Sequence, residues 1–195
     1  MLKNGKVNSM NDGAAEFVTQ EFLARAVAYL KSVDIAGGAA AVSLSEADSP
    51  VLRQVGSGLV VAYVVDEPQG LVYVQHRHLA EAGMDAAQLH RSAIANLDKL
   101  CSQHMRVEQH GPVFGVFVDG NFEASMFLLQ ALWQRDLAGL VDEGYMVAVP
   151  ARDIMAFCDM ASEEGVAALK EMVERVHENG DHLISRNTFR IRKPA

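Results

Sequence analysis

Apolar residues near the start of the chain recur every three to four positions, which is the spacing of one face of an α-helix. Leu23, Val27 and Leu30 widen this stripe, and a broad stripe favours a helix packed on a sheet over a coiled coil. We therefore predict a helix over residues 14–33, followed by a short strand near residues 40–44. The apolar positions that define the helix are Val18, Phe22, Ala26, Tyr29 and Val33.

Three pairs of apolar, β-branched runs are separated by turn residues, a pattern typical of β-hairpins. The predicted hairpins span residues 58–75, 105–120 and 145–159. The first turns at Glu67–Gly70, where proline and glycine occupy positions that a type I turn favours. The other two turn at Gly111–Pro112 and at Pro150–Asp153. For the last segment a strand followed by a helix is the alternative, because proline suits a first helical position.

The segments between the hairpins show helical periodicity behind capping residues. Asp85 and Gln88 form a capping-box pattern before one helix, and Ser162 caps another that Gly180 can close. A further helix is predicted over residues 121–133, and a last strand within residues 187–192.

Hairpins that alternate with helices favour an α+β fold with a largely antiparallel sheet and packed helices. We expect a polar, disordered leader over residues 1–13 and a single α+β domain over residues 14–195. A hairpin followed by an acidic-capped helix occurs twice along the chain. Two similar halves, about 14–103 and 104–195, are therefore the alternative organisation.

The composition is that of an ordinary globular protein, with 195 residues, 50% hydrophobic and 22% charged. The net charge of −8 argues against nucleic-acid binding, which needs a basic surface to replace counterions. The longest apolar runs are too short to cross a bilayer. We therefore expect no nucleic-acid partner and no membrane partner.

Two cysteines, Cys101 and Cys158, lie in apolar segments, and neither belongs to a CxxC pair. This pattern predicts buried free thiols in a reducing compartment. The first residues also lack the apolar core of a secretory signal. The sequence therefore predicts a cytoplasmic protein.

Glycine and histidine motifs give no support for a cofactor or a metal. The "GSGL" stretch at Gly56 precedes a strand, whereas a dinucleotide-binding fingerprint follows one. His76 and His78 would share one face of a strand, as a metal pair needs, but no third ligand stands nearby. We predict instead two exposed histidines at a helix entrance, no metal site and no cofactor.

The segment "DGNFEASMFLLQALW", residues 119–133, crowds Asp119, Glu123 and Ser125 onto the start of an apolar stretch. Ser125 is not in a G-x-S-x-G motif, and a helical wheel places it with Leu129. We therefore expect it to face inward and bond to the preceding turn. Glu123 falls on a polar stripe opposite, near the helix start where the dipole favours an acid. No catalytic residue is predicted here.

Arg152 and Asp153 stand between two apolar runs, which places both charges at a turn. They are available there for a carboxylate or phosphate ligand, or for each other. A local ion pair that fixes the hairpin is the simpler interpretation, since charged turns are common. The candidate ligand-binding residues are therefore Arg152, Asp153, Glu123 and Asp119.

Several segments together resemble the YtpQ-like family of bacterial proteins of unknown function, over roughly Val60 to Arg192. The most specific pieces are Glu123-Ala124-Ser125 and the P-x-R-D turn at Pro150–Asp153. The resemblance implies a cytoplasmic bacterial protein, and it supplies no reaction from which catalytic residues could be assigned. The segments that carry it are "YVVDEPQGLVYVQHRHLAEAGMDAAQLHRSAIANL", "DGNFEASMFLLQALW", "VAVPARDIMAFCD" and "LISRNTFRIR".

Because no catalytic set converges in the sequence, we expect a non-catalytic binding or protein-interaction module. Its partner would be a second copy in a homodimer, another protein or an anionic small molecule. The alternative is an enzyme acting on an anionic small molecule, with Arg152 as anchor. In that case Asp119, Glu123 or Asp153 would serve as general acid or base.

Overall fold

The computed structural model describes residues 19–33 and 44–193. Within these ranges the chain forms an α+β fold with two antiparallel sheets, as the sequence predicts. The strands are β1 (Val27–Ser32), β2 (Leu52–Gly56), β3 (Leu59–Glu67), β4 (Gly70–Tyr73), β5 (Arg106–His110), β6 (Val113–Phe117), β7 (Gly144–Ala151), β8 (Ile154–Asp159) and β9 (Thr188–Arg192). The helices are α1 (His76–Glu81), α2 (Ala86–His104) and α3 (Glu163–Asn179), with a 3₁₀ helix (Ala124–Leu128) and a π-helix (Leu132–Asp136).

The first sheet is built around β3, a long apolar strand whose first seven residues are buried. β1 pairs along one side of β3, while β2 and β4 follow one another along the other side. The amide of Val51 donates to the Val74 carbonyl at 2.9 Å, which ties β2 to β4 at their junction. On the face that α2 covers, the Tyr63 hydroxyl lies 3.0 Å from Nδ1 of His90.

The second sheet has the strand order β5-β6-β8-β7-β9, and α3 packs against one of its faces. Gly165 permits the close approach of the helix, because a Cβ there would lie only 2.8 Å from the Cβ of Cys158. The buried residues of this smaller core are Met146, Ala148, Ala156, Cys158, Leu169 and Val173.

The opposite face of the second sheet shares a larger apolar core with the first sheet and α2. The 3₁₀ helix contacts β1 and α2 as well as β7 and β8, so it links the two sheets. Trp133 fixes the segment that follows, because its indole N–H donates to the Phe127 carbonyl at 3.1 Å. The Tyr145 hydroxyl in turn donates to the Trp133 carbonyl at 2.7 Å.

The elements with local turn or cap signals are confirmed. All three predicted hairpins form, with Glu67 paired to Gly70, His110 to Val113 and Ala151 to Ile154. The Asp85 carboxylate accepts from the Gln88 amide at 2.7 Å in the predicted capping box. Ser162 caps α3, and the last strand forms as β9.

Two predicted helices are wrong in the described part of the chain. Residues 19–24 are helical, but Val27–Ser32 is a strand, because its register with β3 buries Ala28, Tyr29 and Leu30. The predicted helix over residues 121–133 is instead a 3₁₀ turn and the start of a π-helix. β2 was not predicted. The predicted leader, the start of the first helix and residues 40–43 of the predicted strand lie outside the described residues.

Candidate functional site

The turn between β7 and β8 holds Arg152 and Asp153 in a fixed backbone frame. The amide of Arg152 donates to the His182 carbonyl at 3.1 Å, and the Arg152 carbonyl accepts from the Ala124 amide at 3.0 Å. The turn is thereby attached to the loop after α3 on one side and to the 3₁₀ helix on the other. Satisfied backbone groups of this kind position the side chains that the turn carries.

β1 brings Tyr29 and Lys31 to the same region. The two residues alternate along the strand and share a face, and the Lys31 ammonium lies 5.1 Å from the centre of the Tyr29 ring. Tyr29 is only 2% exposed. On the outer edge of β1, the Leu30 amide donates to Oγ of Ser125 at 3.0 Å. This bond fixes β1 against the 3₁₀ helix.

The electrostatic environment of Tyr29 shows which charges meet around its hydroxyl. Burial raises the pKa of Tyr29, and the Arg152 guanidinium opposes this increase through its charge and a hydrogen-bonding contact. The carboxylates of Asp153 and Asp119 raise the pKa further. Three of the four predicted site residues therefore lie close enough to Tyr29 to influence its ionisation, and the phenol stays protonated as a hydrogen-bond donor.

Lys31 and Arg152 bring two positive charges together. Burial lowers the pKa of Lys31, and the positive charge of Arg152 lowers it further. Across residues 19–33 and 44–193, neither side chain takes part in an ion pair. The expected pairing of Arg152 with Asp153 is therefore absent from the described part of the chain. The carboxylates of Asp153 and Asp119 act on the same Tyr29 hydroxyl but form no ion pair with either cation. The repulsion between the two cations would be relieved by a bound anion.

Asp119 and Glu123 instead close the loop between β6 and the 3₁₀ helix. Oδ1 of Asp119 accepts from the amides of Asn121 and Phe122, at 3.0 and 3.2 Å. Oε1 of Glu123 accepts from the amides of Val118 and Gly120, both at 2.8 Å. Both carboxylates are thus engaged by the backbone of their own loop.

Glu123 differs from its expected place on a polar stripe, since it is only 3% exposed. The reason is that the chain forms a tight loop here rather than a continuous helix. Its Oε2 is buried and finds no hydrogen-bond partner among the described residues. Ser125 faces inward as predicted, at 1% exposure, but the expected bond to its preceding turn is wrong because its partner is Leu30 of β1.

Tyr29 and Lys31 were missed by the sequence analysis, because both lay within a predicted helix. The only available signal was the two-residue alternation in "VAYLKS", where Lys31 follows Tyr29 on one face. The histidines at 76 and 78 lie at the start of α1, and Nδ1 of His78 accepts from the Gln75 amide at 3.1 Å. Among the described residues no three potential ligands are grouped to hold a metal ion.

Comparison with known proteins gives no assignment: no protein-family model, curated protein or solved structure matches the chain. The resemblance to the YtpQ-like family therefore remains a prediction. In the two described ranges, no helix combines the length and apolar character that a membrane crossing requires.

Proposed function

We propose that this protein is a non-catalytic binding module that holds an anionic group between Lys31 and Arg152, beside the Tyr29 hydroxyl. The observation that carries the proposal is that Lys31 lies 5.1 Å from the centre of the Tyr29 ring, that the charge of Arg152 acts on both residues, and that neither cation has an ion-pair partner in the described ranges. A carboxylate or phosphate would relieve their repulsion, and a guanidinium binds both groups well. The protonated Tyr29 hydroxyl adds a further donor.

The engagement of two carboxylates favours binding over catalysis. A general acid or base has to reach the proton that it transfers, whereas Asp119 and Glu123 accept hydrogen bonds from backbone amides. The enzyme alternative then depends on Asp153, which is exposed and close enough to raise the pKa of Tyr29. An Asp153→Asn variant that still binds anions but loses hydrolysis of p-nitrophenyl phosphate would favour that alternative.

The direct test is a thermal-shift titration of the full chain with inorganic phosphate, pyrophosphate and citrate. We expect at least one of these anions to raise the melting temperature, and Lys31→Ala and Arg152→Ala to abolish the rise. Arg106→Ala is the matched control, because this exposed arginine on β5 is not among the residues that act on the ionisation of Tyr29 or Lys31. Absence of a shift with all three anions, or an undiminished shift in Arg152→Ala, would contradict the proposal.

We further propose that the protein is a cytoplasmic, bacterial member of the YtpQ-like family and that it forms a homodimer. Both cysteines are buried free thiols, and burial raises the pKa of each to about 11, which suits a reducing compartment.

The strands β2, β5 and β9 lie at open sheet edges in the described structure, and such edges can pair with a second copy. Native mass spectrometry of the full chain measures the oligomeric state directly.

A further inference from the structure

A groove runs between α3 and the strands β6 and β8, separate from Lys31 and Arg152. Its volume is about 320 Å³, near the lower end of the range for small-molecule sites. A second hollow adjoins it along α3 and shares four residues with it, Asp153, Ile154, Met172 and Arg175. The groove is therefore large enough for a compact ligand and continues along the helix.

The lining of the groove is mainly apolar. Val113, Phe117, Ile154 and Met172 contribute most of the large side chains, and Phe117 is 37% exposed. A Cβ at Gly115 would lie only 3.0 Å from Cε2 of Phe117, so glycine allows the ring to lie close over the strand. An exposed aromatic ring in the same groove as Met172 offers apolar surface that a ligand would remove from water.

Two opposite charges also line this groove, the carboxylate of Asp153 and the guanidinium of Arg175. The imidazole of His110 lines it as well, with its Nε2 3.8 Å from Oε2 of Glu108. In the described part of the chain Asp153 and Arg175 pair neither with each other nor with another charged side chain. A simple anion would meet repulsion from Asp153, and a simple cation would meet repulsion from Arg175. An uncharged apolar ligand would leave both of these exposed charges without a partner. The ligand that complements all three features carries both charges and an apolar body.

We propose that the groove binds a zwitterionic apolar amino acid. Its ammonium group contacts Asp153, its carboxylate contacts Arg175, and its side chain lies against Phe117 and Met172. Lys31, Arg152 and Tyr29 do not line this groove, whereas Asp153 lies near both sites, so Arg175→Ala is the variant that tests the groove without changing the anion site. Asp153, a candidate anion-site residue in the sequence, has the opposite role in this groove, that of a cation ligand.

Isothermal titration calorimetry of the full chain with L-leucine, L-methionine and L-phenylalanine tests the proposal. We expect at least one to bind, and its N-acetyl and amide derivatives, which each lack one charge, to bind about tenfold or more weakly. Asp153→Asn and Arg175→Ala should weaken binding by a similar factor, and Phe117→Ala should weaken it by removing apolar contact. Glu164→Gln and Lys170→Ala are the matched controls, because both lie on α3 outside the groove lining.

Three outcomes would overturn the proposal. The first is that none of the three amino acids binds at millimolar concentration. The second is that the N-acetyl and amide derivatives bind as well as the free amino acid. The third is that folded Asp153→Asn and Arg175→Ala variants, checked by circular dichroism, bind like the unmodified protein. Retained phosphate binding in Arg175→Ala would show that the two sites fail separately.

Discussion

Single buried polar residues join distant parts of this chain. Ser125 shows how far sequence reasoning reaches, because its inward orientation follows from the apolar residues around it. Its hydrogen-bond partner, the Leu30 amide, cannot be predicted in this way, because Leu30 lies on a strand whose apolar spacing resembles that of a helix. Because β1 is not predicted as a strand, the sequence around Ser125 does not show which backbone amide donates to its hydroxyl. The surroundings of the Tyr29 hydroxyl cannot be predicted from the sequence either, because the charged residues that act on it come from separate loops.

We expect Ser125→Ala to lower the free energy of unfolding by about 1–3 kcal/mol, because it leaves the buried Leu30 amide without an acceptor. The measurement is urea denaturation followed by far-UV circular dichroism. Ser92→Ala is the control, since that hydroxyl bonds only carbonyls of its own helix and should change stability by less than about 0.5 kcal/mol. Equal stabilities of the two variants would mean that Ser125 does not fix β1.

The pKa of Lys31 predicts how anion binding depends on pH. The pKa lies below the ordinary 10.5 because of burial and the charge of Arg152. The affinity for inorganic phosphate should therefore be highest below this lowered pKa and should fall as the pH rises through it. Lys31→Arg should keep its affinity over the same interval, because arginine does not lose its proton there. Parallel pH profiles for the two proteins would show that Lys31 does not contact the anion.

At the scale of the elements, the confirmed features are those whose signals are local. Glu67–Gly70 and Asp85 with Gln88 each carry a turn or cap within four residues, and both form as predicted. The helix predicted over residues 14–33 is wrong at β1, because the helical spacing of its apolar residues competes with the long-range pairing of this segment to β3. Tertiary context decides such cases. The segment from Phe122 to Trp133 is apolar apart from Glu123, Ser125 and Gln130, so its weak periodicity does not specify one helix type.

For Gly165→Ala we predict a loss of stability, whereas helix propensity alone would predict a gain. Alanine is favoured over glycine within a helix by about 1 kcal/mol, yet Gly165→Ala should lower stability by about 1–3 kcal/mol. The reason is that the new Cβ would meet Cys158 of β8 and force α3 away from the sheet. Ala167→Gly on the exposed side of α3 reports the propensity effect by itself. Thermal denaturation of both variants measures the difference, and a stabilised Gly165→Ala would show that α3 can move at little cost.

At the scale of the whole molecule, the candidate anion site forms where the two sheets meet. β1 of the first sheet supplies Tyr29 and Lys31, and the β7–β8 turn of the second sheet supplies Arg152. The sequence identified the turn and its charges, because the hairpin is a local feature. It could not identify the opposite half of the site, since that depends on how the sheets pack. The division into one domain or two similar halves remains a prediction.

The single tryptophan of the chain lies at the same junction between the sheets. Trp133 is 4% exposed and makes edge contacts with the rings of Phe127, Tyr145 and Phe157. Its fluorescence therefore originates from one location, where the segment after the 3₁₀ helix meets the second sheet. A red shift of the emission would report water reaching this junction, so unfolding of the interface can be followed optically without an added label.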